Sequence, residues 1–177
     1  MDDFTAEDLA ALEKTVRLRH PGHSTRRSSG SCLAFPTPVP GLVVRYSYLW
    51  ASEHVRGQEE GAKDRPCAVV LVVTDDAGEP AVTVLPITHQ RPSGSKLGVE
   101  IPHATKRRLG LDDARSWVVL SEANRFIWPG PELRPAIPGD AGSVAYDLLP
   151  CALFEEIRLR FIQAARNRLM RNVKRTE

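Results

Sequence analysis

The sequence predicts a mostly β, α+β domain in which a small antiparallel barrel or strongly curved sheet is flanked by helices. Three observations predict it. Four short apolar, β-rich runs fill the middle of the chain, turn-forming residues separate them, and helical periodicity is confined to the two ends and one short internal piece. At 177 residues, 42% of them hydrophobic, the chain can bury one sizeable core and still carry terminal extensions. Alternating strands and long helices, which would indicate a doubly wound parallel sheet, do not occur.

Thr5 followed three residues later by Asp8 reads as a capping-box start, and Leu9, Leu12 and Val16 supply a helical stripe to about Leu18. His20, Pro21, Gly22 and Ser24 stop it. From Ser28 to Pro40 serines, a glycine and prolines suit an extended connector, so residues 1–40 are expected to be a helix-and-linker extension and residues 41–177 the main domain. The strand candidates are Leu42 to Leu49, Cys67 to Thr74, Ala81 to Ile87 and Trp117 to Ser121. Asp75, Asp76, Ala77 and Gly78 read as a hairpin turn that makes the second and third antiparallel neighbours. A short helical piece is expected around Ala104 to Leu109. Pro150 suits the first turn of a long last helix whose apolar positions Leu153, Ile157, Phe161 and Ala164 continue to Leu169 and should pack on the sheet.

A formal net charge of +2 is too small by itself to argue for nucleic acid. Its distribution says more, because Arg158, Arg160, Arg166, Arg168 and Arg171, with Lys174 and Arg175, crowd the last segment. Such a surface suits an RNA backbone, and equally suits a solvated helix face with favourable charge near its C-terminus. Cys32, Cys67 and Cys151 are odd in number and lack metal-ligand spacing, so buried thiols in a reducing compartment are expected, with no metal and no cofactor. The acidic, amphipathic start MDDFTAEDLAALEK is no targeting signal, and no apolar run would span a bilayer, so a cytoplasmic protein is expected.

The most informative segment is Glu59 to Thr88. A polar turn delivers Arg65 to the mouth of an apolar strand, and the next strand ends in Thr88. A permanently charged arginine beside a hydroxyl can cradle the negative charge of a phosphoryl-transfer transition state. The plainer readings are an Arg65 ion pair with Asp64 or Glu60 and a Thr88 hydroxyl that satisfies a backbone group at its strand end.

Residues Gly41 to about Ile137 resemble the PemK/MazF family of toxins from toxin–antitoxin systems. The pieces that carry the resemblance are GLVVRYSYLW, EEGAKDRPCAVVL, VTVLPIT, the VEIP segment at Val99 to Pro102, and LGLDDARSWVVLSEANRF. The resemblance implies an SH3-like barrel with added helices, a homodimer, metal-independent cleavage of single-stranded RNA, and silencing by a bound antitoxin segment. It places the principal catalytic roles on Arg65 and Thr88, matches Glu60 to an acidic position of the family turn, and matches Arg125 to a basic position after SEAN. The stretch Trp50 to Gln58 and the neighbour His89 depart from the family pattern.

Attack of a ribose 2′-hydroxyl on the adjacent phosphorus would need a base, a donor for the leaving oxygen and stabilisation of the phosphorane. Arg65 is assigned the charge, Thr88 the positioning of oxygen, and Glu60 or His89 the base. Strand alternation sets His89 opposite Thr88 unless a turn follows Thr88. Arg125, Arg166, Arg168 and Arg171 are the candidate RNA-backbone contacts. Trp128, before Pro129-Gly130-Pro131, is the best of three tryptophans for stacking a base, although large aromatics are more often buried. A noncatalytic SH3-like protein- or RNA-binding module and a gyrase poison on the same fold are the alternative functions.

Overall fold

The computed structural model describes residues 4–15, 35–74, 77–94, 97–140 and 142–175. Helix α1 is Ala6–Lys14; β1 is Leu42–Ser47, α2 Ala51–Val55, β2 Asp64–Thr74, β3 Pro80–Thr88, β4 Gly98–Glu100 and α3 His103–Leu109. Then come β5 Trp117–Val119, β6 Glu122–Ile127, β7 Ala145–Leu148, α4 Cys151–Arg166 and β8 Arg171–Lys174. The strands form one mostly antiparallel sheet in the order β4-β5-β3-β2-β1-β7, with β6 beside β3 and β8 beside β6. Only β6 and β8 run parallel among these pairs. The path does not close on itself, so the class is α+β with an open sheet.

The apolar runs look continuous because both sheet faces are covered. Val43, Ala68, Val70 and Leu85 face a core shared with Leu12 of α1, Leu109 of α3, and Leu153, Ile157 and Phe161 of α4. Their alternates Val44, Tyr46, Cys67, Val69, Val82 and Val84 face a second core with Phe126, Trp128 and Leu133. Side chains that alternate across a pleated strand produce this division. The β2–β3 pair is antiparallel as expected, with Cys67 opposite Pro86 and Thr74 opposite Pro80. Gly78 adopts φ 86° in the turn; Asp75 and Asp76 lie outside the described residues.

Strand β3 is forked. Ala81 to Val84 pair with β6, whereas Ile87 and Thr88 pair with β5. Pro86, in the gap between the two partners, has no N–H to donate to either. The run Trp117 to Ser121 is a strand only as far as Val119, as β5 against the end of β3, and β6, which starts at Glu122, is a further strand beyond it. The run that starts at Leu42 ends as a strand at Ser47, not Leu49, and α2 occupies part of the Trp50 to Gln58 stretch. Strands β4, β7 and β8 were not anticipated.

Thr5 and Asp8 form the capping box on α1, while Val16 to Ser24, Ser28 to Ala34 and Cys32 lie outside the described residues. Helix α1 lies against α4. Phe4 meets Phe161 edge-on at 5.3 Å, and the buried Arg158 donates to the Leu12 carbonyl at 2.8 Å. Helix α4 stops at Arg166, before Leu169, since Asn167 caps it and Arg168 turns left-handed at φ 53°. Cys67 is buried, but Cys151 is exposed, because the first residue of α4 faces away from the core. No helix among the described residues is long and apolar enough to cross a membrane.

Candidate functional site

The ladder that sets Cys67 opposite Pro86, carried on by two residues, brings Arg65 level with Thr88. Both line one cleft of about 520 Å³, together with Lys63, Asp64, His89, Lys106, Asp112 and Ser116. A hairpin with a fixed register thus joins two residues far apart in the sequence. Gly61 shapes the approach to β2, because a Cβ there would collide with the Tyr48 carbonyl, and only glycine permits that close passage.

Asp64 does not neutralise Arg65. Its carboxylate faces Arg45 at 3.5 Å and Arg134 at 3.7 Å. The Arg65 guanidinium instead lies over the Trp50 ring, 5.0 Å from its centroid, and Arg65 Nε is buried without a hydrogen-bond partner. A guanidinium held by an aromatic face, with donor capacity unspent, is prepared to meet an anion. Trp50 is itself fixed from β6: Asn124 accepts from Leu49 N at 3.0 Å and donates to Leu49 O at 2.8 Å, and Glu122 accepts from Ala51 N at 2.8 Å.

Thr88 accepts from Gln90 N at 3.2 Å through its hydroxyl. The strand-end role is therefore real, and the hydroxyl proton is still available to donate. The same contact turns the chain, which puts His89 in the cleft with Thr88 and removes the objection from strand alternation. His89 Nε2 lies 3.1 Å from Asp112 Oδ1 and 2.9 Å from Oδ2. Asp112 Oδ1 also accepts from Lys106 Nζ at 2.8 Å. Lys106 is 2% exposed and spends its remaining donors on Ser116 Oγ at 2.7 Å and on the Ala114 carbonyl. The Lys106 ammonium, hydrogen-bonded to the Asp112 carboxylate, holds that carboxyl below its ordinary range. Burial pushes the Cys67 thiol up, against the opposing charge of Arg65, so Cys67 stays protonated.

The other candidates lie elsewhere. Glu60 lines a separate cleft of about 580 Å³ with Glu59, Glu132, Lys174 and Arg175, so the structure does not group it with Arg65. Arg125 pairs with Asp8 at 2.9 Å and fastens α1 to β6. Trp128 is 7% exposed and lies beside Phe126, which makes it a core aromatic and not an open stacking platform. Arg166 pairs with Glu13, Arg160 with Glu156 and Arg175 with Glu132, so much of the expected basic surface is spoken for. Arg168 and Arg171 are exposed, but Arg168 sits in the turn after α4 and Arg171 on β8. Lys106, Asp112 and Ser116 were not singled out in the sequence; a lysine in a short helix ordinarily reads as solvated, and only the fold buries this one. No protein-family model matches the chain, and no curated protein does.

Proposed function

We propose that this protein is a metal-independent endoribonuclease that cleaves single-stranded RNA as the toxin of a toxin–antitoxin pair, on an opened variant of the SH3-like barrel. The observation that carries the reading is the Arg65–Thr88 pair: an arginine with no carboxylate partner among the described residues, opposite a hydroxyl, in one cleft. RNA supplies its own nucleophile. The protein then needs to stabilise a phosphorane and manage protons, and the planar Arg65 fork suits two phosphate oxygens. Sequence resemblance to PemK/MazF toxins from Gly41 to about Ile137 supports the same assignment.

The resemblance also supports a cytoplasmic homodimer silenced by a cognate antitoxin. Exposed Val55, Ile137, Leu159 and Leu169 are apolar surface that such partners could cover. Light scattering at micromolar protein should give twice the chain mass; a concentration-independent monomer would count against the dimer.

The cleavage reading is tested on a mixed-sequence RNA pool with end sequencing. Wild type should leave cyclic phosphate and 5′-hydroxyl ends in the presence of EDTA. Arg65→Ala and Thr88→Ala should each slow cleavage roughly a hundredfold or more, the scale for loss of one transition-state donor, and Arg65→Lys should stay poor. Circular dichroism should show each variant folded. Wild-type inactivity on diverse RNA would end this reading, and EDTA-sensitive cleavage indifferent to both alanine variants would move the site.

A further inference from the structure

We propose that His89 is the base of the reaction and that Asp112, anchored by the buried Lys106, is the positioning residue that makes it one. The assignment deepens the cleavage chemistry proposed above and rests on it. One carboxylate, Glu60, and one imidazole, His89, compete for the role in the sequence, and the fold separates them. Glu60 belongs to the other cleft, and Asp64 is engaged by Arg45 and Arg134. Unlike Glu60, His89 shares the cleft with Arg65 and Thr88, and its side chain remains 60% exposed, so substrate can reach it.

Both Asp112 oxygens face His89 Nε2, at 3.1 Å and 2.9 Å. A carboxylate accepts and does not donate, so it holds the proton on Nε2 and leaves Nδ1 as the accepting nitrogen. Asp112 cannot swing away easily. Its Oδ1 also accepts from Lys106 Nζ at 2.8 Å and from Ala114 N at 3.1 Å. Lys106 in turn is fixed by Ser116 and the Ala114 carbonyl. All three ammonium donors are used, so Lys106 has nothing left for a phosphate and serves as an anchor. The charged groups that line the cleft around His89 are Asp112 and Lys106 on one side and Lys63, Asp64 and Arg65 on the other.

In the proposed step, His89 Nδ1 takes the 2′-hydroxyl proton as the 2′ oxygen bonds to phosphorus. The bond from phosphorus to the 5′ oxygen breaks, that oxygen takes a proton from water, and the imidazolium returns its proton to solvent. Atoms and charges balance with water as the sole co-reactant. Asp112 stabilises the transient imidazolium and never leaves its carboxylate form.

The test is a double-mutant cycle under single-turnover conditions with mixed-sequence RNA and the full chain. His89→Ala should slow cleavage by about a hundredfold or more, within the range for general-base catalysis. Asp112→Asn should lower the rate at least tenfold with little change in the RNA concentration for half-saturation. In the His89→Ala background, Asp112→Asn should do no further harm, because a positioning residue has nothing left to position. Added imidazole should partly restore His89→Ala whether or not Asp112 is present. Thermal melts confirm that each variant is folded. Full activity of His89→Ala would overturn the proposal. An equal Asp112→Asn penalty with and without His89 would reduce Asp112 to a structural support and overturn the relay. Wild-type inactivity, read before any variant, would remove the reaction itself and the relay with it, whereas wild-type cleavage with an indifferent His89 would remove the relay alone.

Discussion

Arg65 and Trp50 stand face to face, the guanidinium 5.0 Å from the ring centroid, while the carboxylate next to Arg65 in sequence is turned toward Arg45 and Arg134. The aromatic face orients the charge without neutralising it. Trp50→Ala should therefore slow RNA cleavage by a few-fold to about thirtyfold, the kinetic equivalent of a cation–π contact of about 0.5–2 kcal/mol. Trp50→Phe should recover part of the loss. Single-turnover rates of both variants check this, and an unchanged Trp50→Ala rate would show that Arg65 needs no such support.

The Lys106–Asp112 pair sets a pH dependence of stability. Asp112 is held below its ordinary value of 3.8 chiefly by its hydrogen bond from Lys106. A depressed acid contributes stability that is fully present above its unfolded value and is lost as pH falls through the folded one. Wild type should thus lose stability relative to Asp112→Asn as pH falls from about 5 toward 2. Denaturant melts across that range measure it; parallel curves down to pH 2 would contradict the pairing.

Salt dependence separates the cleft from the far end of the chain. Arg166 already faces Glu13, so Arg166→Gln should leave the salt slope of RNA binding nearly unaltered. Lys63→Gln, in the cleft, should reduce the slope by about 0.7, as expected for one lost phosphate contact on single-stranded nucleic acid. Fluorescence anisotropy titrations at several salt concentrations would show whether the order is reversed.

Asp8 has two tasks. It caps the Thr5 backbone N–H at 3.1 Å and pairs with Arg125 at 2.9 Å. Asp8→Ala should cost about 2 kcal/mol, combining a lost cap with a partly buried charge left unpaired. Urea denaturation provides the number, and a loss under about 0.5 kcal/mol, the scale of ordinary surface changes, would mean that α1 is not stapled there.

The parts legible in the sequence were those decided by neighbours along the chain. The capping box of α1, the β2–β3 hairpin and the apolar stripe of α4 depend on local chemistry and spacing. The Arg65–Thr88 approach followed, because hairpin register is a local property. What the sequence did not disclose depends on distant partners. Strand β8 takes its conformation from β6, and the fork in β3 from the combined demands of β5 and β6. Arg158 read as part of a basic helix face and Lys106 drew no reading at all, until the fold supplied Glu155 and the Leu12 carbonyl for the first and Asp112 and Ser116 for the second. Trp128 stood next to prolines and a glycine, yet Phe126 and the second core enclose it.

The docking of α1 also has a kinetic side. Its polar fastenings join residues 117, 146 and 153 apart in sequence, to β6 in the first case and α4 in the other two. Closing such loops costs conformational entropy that local contacts do not, so these links should form after the hairpin-rich sheet has assembled. Contacts absent from the folding transition state leave the folding rate alone and slow unfolding. Helix α1 then acts as a latch on a door already built: Asp8→Ala should steepen neither arm of the chevron, keep the refolding rate within about twofold, and speed unfolding by most of the stability it removes.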